Sequence, residues 1–112
     1  MRDEFISICK KMDKYCEIMN FKKYGAERDK IIEIFKKYEK DIDEAKNFYF
    51  PLFTHENRMV EVQAASHCLA LGIYIDEAKA VLEKFTSVGG TLGFNVKMTL
   101  EVYSSQGYLK LY

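Results

Sequence analysis

The sequence has no charge of one sign to spare. Its 112 residues carry 17 basic and 17 acidic side chains, a formal net charge of zero at pH 7 with histidine neutral. Such a balance leaves no electrostatic footprint for a nucleic-acid backbone or an anionic bilayer, and neither is expected as a partner. Long apolar runs are missing too. The longest, Cys68 to Ile75, is eight residues with Gly72 inside it, against the roughly 20 that cross a bilayer. Proline occurs once, at Pro51. No Pro-, Gly- or Ser-rich stretch is long enough to be a linker, so one domain over residues 1–112 is expected. Cysteine is sparse and odd in number: Cys9, Cys16 and Cys68. The N-terminal Met1-Arg2-Asp3-Glu4 is charged and leads into an amphipathic stretch rather than an apolar signal core. Buried free thiols in a reducing cytoplasm are the expectation. The hairpin dipeptides Asn-Gly and Asp-Gly are absent, and so is any alternation of strand and helix patterns.

What is present reads as helix. A hydrophobic share of 48% beside 30% charged residues is that of a globular domain. Residues 1–56 hold 24 charged side chains and residues 57–112 only 10, which predicts outer helices first and better-buried elements later. Phe5, Ile8, Cys9, Met12, Tyr15, Cys16 and Met19 step by three and four, marking one face of a helix from Asp3 to about Asn20. Ile31, Ile34, Phe35, Tyr38 and Ile42 repeat the spacing from about Glu27 onward, with Gly25 punctuating the connection. A third helix over Asp43 to Phe53 should kink or end at Pro51. Asn57 is a candidate N-cap for a helix bearing Val60, Ala64, Ala65, Cys68, Leu69 and Leu71, and Gly72 suits its end. Asp76 opens a further helix through Ala78, Val81, Leu82 and Phe85, with Ile75 as a hydrophobic staple. Gly89-Gly90-Thr91 breaks it. Leu92, Val96, Thr99, Leu100 and Tyr103 form a last helical face, closed by Ser104-Ser105-Gln106-Gly107. The tail after Gly107 alternates like a strand but has no evident partner and is left irregular. About five or six helices with short connections imply antiparallel neighbours.

The stretch from Leu52 to Gln106 resembles HEAT-like helical repeats. It carries a leucine-containing helix end, a polar turn Thr54-His55-Glu56-Asn57, then Val60 and the pair Ala64-Ala65, followed by Leu69. The segments Glu77 to Glu83 and Gly93-Phe94 to Leu100 extend the likeness. Together they look like a small bacterial family of all-α proteins with an α–α superhelix. The resemblance implies an all-α antiparallel array of the HEAT-like superhelical kind. It also implies a protein partner, namely a co-encoded toxin that an immunity protein of this family would neutralise. The likeness departs at Glu61, where HEAT-like units commonly carry arginine, so no basic contact is carried over there.

No constellation points to catalysis, a metal or a cofactor. His67 and Cys68 are adjacent and point about 100° apart on a helix, a poor grip for one ion. Cys9 and Cys16 lie about 10.5 Å apart along one helix. No Gly-x-Ser-x-Gly elbow is present. Gly89-Gly90-Thr91-Leu92-Gly93 lacks the Gly-Lys-Ser/Thr of a phosphate loop and reads as a turn. A Cys–His nucleophile pair is the enzymatic alternative, without a family signature around it. Charge is unevenly spread, however: residues 39–56 hold five acidic and two basic side chains. Sixteen aromatics, including the run Phe48-Tyr49-Phe50, are rich for this length, and one of those three must be partly exposed on a helix. The candidate partner-binding residues are therefore Asp41, Asp43, Glu44, Tyr49, Glu56, Asp76 and Glu77. The expected function is non-enzymatic protein binding by a monomer or homodimer, the alternative being a scaffold that self-associates through its aromatic surface.

Overall fold

A computed structural model of the chain describes residues 2–111. Six α-helices follow one another: α1 (Arg2–Glu17), α2 (Phe21–Glu39), α3 (Ile42–Tyr49), α4 (Arg58–Leu71), α5 (Ile75–Glu83) and α6 (Gly90–Gln106). A 3-10 turn, Phe50–Thr54, separates α3 from α4. No strand occurs among the described residues. The all-α expectation holds, and the helix boundaries show which local signals carried it.

Asn57 caps α4 by accepting from the N–H groups of both Met59 and Val60, two of the donors a helix start leaves orphaned. Gly72 ends α4 in the left-handed region at φ 75°, where a side chain would be strained. Pro51 sits in the first turn of the 3-10 segment, where its missing N–H costs nothing. The second helix starts earlier than expected. Asn20 caps it by accepting from Lys23 N, so Gly25 lies within the helix rather than in a connection. The chain reverses at Met19 (φ 58°) instead. Ile75 is the first residue of α5, after Tyr74 in the left-handed region (φ 49°), so it does not stand ahead of the cap as a staple.

Helices α1 and α2 pack along one another and are joined by residues 18–20 alone, which forces them to run in opposite directions. Helix α4 is the hub. It touches α1, α3, α5, α6 and the 3-10 turn. Ten of its fourteen residues are buried, among them Met59, Val60, Ala64, Ala65, Cys68 and Leu69. A helix apolar on all sides belongs inside. Ala64 and Ala65 have no exposed surface, and their small side chains let neighbouring helices approach. Arg58, at the start of α4, reaches back to Asp13 and Glu17 of α1, both at 3.0 Å. Glu61 pairs with Lys84 at the end of α5, 3.2 Å away.

Helix α6 is the exception to the expected trend of deeper burial late in the chain. Only Leu92, Gly93 and Val96 of its seventeen residues are buried. Gly93 is there by necessity, because a Cβ would collide with the Val88 carbonyl. The reason for the thin burial is periodicity. Leu92, Phe94, Val96, Met98, Leu100 and Val102 alternate with polar or small residues. Successive i+2 steps on a helix turn by about 200°, so Phe94 and Met98 are carried away from the core, 62% and 42% exposed.

The same pentapeptide, Ile-Asp-Glu-Ala-Lys, opens α3 at Ile42 and α5 at Ile75. In both places its alanine, Ala45 or Ala78, is fully buried. Each copy is followed by a short break and a longer helix, α4 or α6. Helices α3 and α5 thus open on one local plan.

Enlarging the hub's small residues tests its packing. Ala64→Leu or Ala65→Leu should each destabilise the fold by about 1–3 kcal/mol through overpacking, read as a lower midpoint in urea at constant slope.

Candidate functional site

A cleft is bordered by α2, α4 and α6. Tyr24, Arg28 and Ile32 of α2 stand on one wall, at the i, i+4, i+8 spacing of one helix face. Leu92, Asn95, Met98 and Thr99 of α6 form the other. Val62, Gln63, Ser66 and His67 of α4 make the floor. The cleft holds about 340 Å³. Its walls mix Tyr24, Ile32, Leu92 and Met98 with Arg28, Asn95 and Thr99, above Gln63 and Ser66 on the floor. Its described lining contains Arg28 and Lys110 but no carboxylate.

Below the floor lies a buried polar pair. The Tyr49 hydroxyl is 2.8 Å from His67 Nδ1, and neither residue has more than 1% of its surface exposed. Burial holds the imidazole neutral, lowering its pKa to about 3, and pushes the Tyr49 phenol up. A protonated hydroxyl beside a neutral imidazole gives one well-matched hydrogen bond in a dry site. The pair is caged by rings. Phe5 of α1 and Phe35 of α2 meet the imidazole edge-on at centroid distances of 5.6 and 5.2 Å. Tyr38 of α2 stacks on Phe48 of α3 at 4.3 Å. Four helices converge on this cluster.

The chemistry of nucleophiles is suppressed elsewhere. Cys9, Cys16 and Cys68 are free and buried. Desolvation raises the thiol pKa of each, which keeps thiolate scarce at neutral pH. His67 Nδ1 is engaged by Tyr49 rather than by Cys68. No group of three or more His, Cys, Asp or Glu among the described residues is placed to hold a metal ion.

The residues singled out from the sequence fall into separate roles. Tyr49 is fully buried and presents no surface to a partner; the exposed member of the aromatic run is Phe50, at 50%. Asp41 is the N-cap of α3, its carboxylate accepting from Glu44 N at 3.2 Å. It is therefore a structural group, not a freely solvated one. Asp43 and Glu44 occupy the first turn of α3, and Asp76 and Glu77 that of α5, where negative charge is stabilised by the helix dipole. All four are exposed, as is Glu56. Glu77 borders a shallow apolar recess with Phe50, Phe53, Ala80 and Val81; Asp41, Asp43 and Glu44 do not line it. Of the α2 cleft residues, Tyr24 fell outside the expected helix, which began near Glu27, while Arg28 and Ile32 lay within it but off the apolar stripe Ile31, Ile34, Phe35 and Tyr38. Asn20 was the signal that would have included Tyr24.

No family model, curated protein or solved structure matches the chain.

Two outcomes follow from these roles. With His67 held near 3 in the fold and near 6.5 when unfolded, the unfolded chain gains a proton that the folded chain refuses between those values. Stability should be full above about pH 6.5 and fall on acidification, by at most about 1.4 kcal/mol per pH unit. Urea titrations from pH 7 to 5 should show this slope, and it should flatten in His67→Gln. Separately, Asp41→Ala should cost about 1 kcal/mol through the lost cap, whereas Asp43→Asn and Glu44→Gln should each stay within about 0.5 kcal/mol in the same assay.

Proposed function

We propose that the protein is a non-enzymatic protein-binding module of HEAT-like helical pairs, acting as an immunity protein that masks a co-encoded toxin. The observation that carries the binding reading is the outer stripe of α6. Phe94 and Met98 stand exposed, Met98 on the wall of the cleft, and Ile18, Met19 and Phe21 at the α1–α2 turn are 60%, 68% and 48% exposed. Met19 lies beside the start of α6, sharing a recess with Gly90, Thr91 and Leu92. Apolar surface gathered in this way marks an interaction site. The repeated Ile-Asp-Glu-Ala-Lys opening supports the helical-repeat reading, in which the concave side is the working surface. Masking needs no covalent chemistry. The exposed carboxylates Asp43, Glu44, Glu56, Asp76 and Glu77 would steer a basic partner and raise its association rate. The setting is the cytoplasm, where a toxin would act on its own producer.

A second reading, self-association through an aromatic surface, is favoured by one feature. Phe50 is half-exposed and packs against Tyr74 and Phe53 at centroid distances of 4.9 and 5.8 Å, leaving an apolar recess of about 370 Å³.

The test is growth rescue. The reading frame beside this gene is expressed in a susceptible host, with and without the protein. Rescue is expected from the parent chain and should be lost with Met98→Glu and Phe94→Glu, both exposed, while circular dichroism and melting stay unchanged. Absence of rescue by the parent, or rescue untouched by both variants, overturns the immunity reading on this face. A dimer in sedimentation velocity that Phe50→Ser dissociates would favour self-association instead.

A further inference from the structure

The cleft between α2, α4 and α6 has an unused donor on its floor. His67 is 1% exposed, yet it lines the cleft. Its Nδ1 is taken by the Tyr49 hydroxyl at 2.8 Å. Its Nε2 has no hydrogen-bond partner among the described residues. Every fully buried side-chain nitrogen or oxygen of those residues is hydrogen-bonded, apart from a Glu27 carboxylate oxygen that lies 3.2 Å from Lys30 Nζ. His67 Nε2 is therefore not sealed in the core but opens on the cleft. Likewise Ser66, 8% exposed and without a side-chain hydrogen bond among the described residues, turns its hydroxyl to the cleft it lines.

The hydrogen on the imidazole is placed by its neighbour. The Tyr49 hydroxyl has one hydrogen bond, to Nδ1. If Nδ1 donated there, the phenolic hydrogen would be left without an acceptor in a dry core, which is costly. The phenol therefore donates, Nδ1 accepts, and Nε2 carries the ring's hydrogen. The floor offers the cleft an N–H and a hydroxyl.

Charge agrees with this. The charged side chains of the lining are Arg28 and Lys110, both basic, and neither forms an ion pair among the described residues. Two cations, a ring N–H and a hydroxyl, with no carboxylate among them, favour acceptor oxygens that carry negative charge. Ile32, Leu92 and Met98 supply apolar contact for a carbon body. The volume, about 340 Å³, is at the small end of the roughly 300–1,000 Å³ usual for small-molecule sites.

We propose that this cleft is a binding site for a small organic anion, with Arg28, Ser66 and His67 Nε2 serving its charged oxygens and the apolar wall its carbon body. The site goes beyond the protein-binding reading and does not depend on it.

The experiment titrates four probes into the full chain, followed by nuclear magnetic resonance. Phenylacetate and phenyl phosphate share one ring and differ in the anionic head. Phenylacetamide is the neutral counterpart and phenethylamine the cationic one. At least one anion should shift the backbone signals of Arg28, Ser66 and Asn95 and the Nε2–H signal of His67, and the tighter of the two identifies the head as carboxylate or phosphate. Phenylacetamide should bind about tenfold more weakly, the loss of one charge-assisted hydrogen bond, and phenethylamine should leave the spectrum unchanged. Arg28→Gln removes an exposed side chain with no ion pair to lose. It should weaken the anion about tenfold at an unchanged melting temperature, and Ser66→Ala should weaken it as well. The proposal is overturned if neither anion moves the cleft signals at millimolar concentration, if phenylacetamide binds as tightly as the anions, or if Arg28→Gln leaves the affinity unchanged. A histidine spectrum that places the ring hydrogen of His67 on Nδ1 would also overturn it.

Discussion

One hydrogen bond under the centre of the molecule, between the Tyr49 hydroxyl and His67 Nδ1, sets terms for the rest of the fold. An imidazole and a phenol cannot be taken out of water without partners, since an unsatisfied polar group in a dry core costs about 1–3 kcal/mol. Each satisfies the other only if α3 and α4 hold one relative position. Phe5 and Phe35 then close over the imidazole, bringing in α1 and α2. Rings that meet edge-on at 5–6 Å tolerate little sliding, because their attraction depends on orientation. A polar contact of modest net energy thus gives the aromatic cluster its register.

That register also explains why α4 serves two surfaces. On one side it is locked into the ring cluster. On the other, Val62, Gln63 and Ser66 form the floor between α2 and α6, and His67 adjoins both. Arg58 fastens the start of α4 to Asp13 and Glu17, and Glu61 fastens its first turn to Lys84. These ion pairs are partly exposed and each contributes little by itself; their value is in holding a rigid floor. The walls are less constrained. Helix α6 buries three residues, and Leu109 after it packs against the core cluster.

Local chemistry was legible at several places. Asn57, Gly72, Pro51 and the buried Ala64-Ala65 pair all act as their residue types suggest, because capping, left-handed turns and close approach are decided within a few residues. The same logic misled where two local signals compete. Gly25 looks like a break, yet Asn20 had already started the helix, and one glycine inside nineteen residues costs only about 1 kcal/mol. The acidic residues near Asp41 and Asp76, read from the sequence as a recognition patch, stand at the starts of α3 and α5, where the helix dipole also favours negative charge.

The sequence by itself determined that the chain is helical with its cysteines buried, since periodicity, caps and composition are local or additive properties. It also contained the twin Ile-Asp-Glu-Ala-Lys openings and the alternation in α6, both readable once the helices were known. Only the tertiary structure decided that Tyr49 is a core residue paired with His67, eighteen positions away. Only it decided that Tyr24, Arg28 and Ile32 face Asn95 and Met98 across a cleft. Burial and pairing depend on which surfaces meet after distant segments pack, and the same tyrosine on the same helix is a contact residue or a core residue according to what lies opposite it.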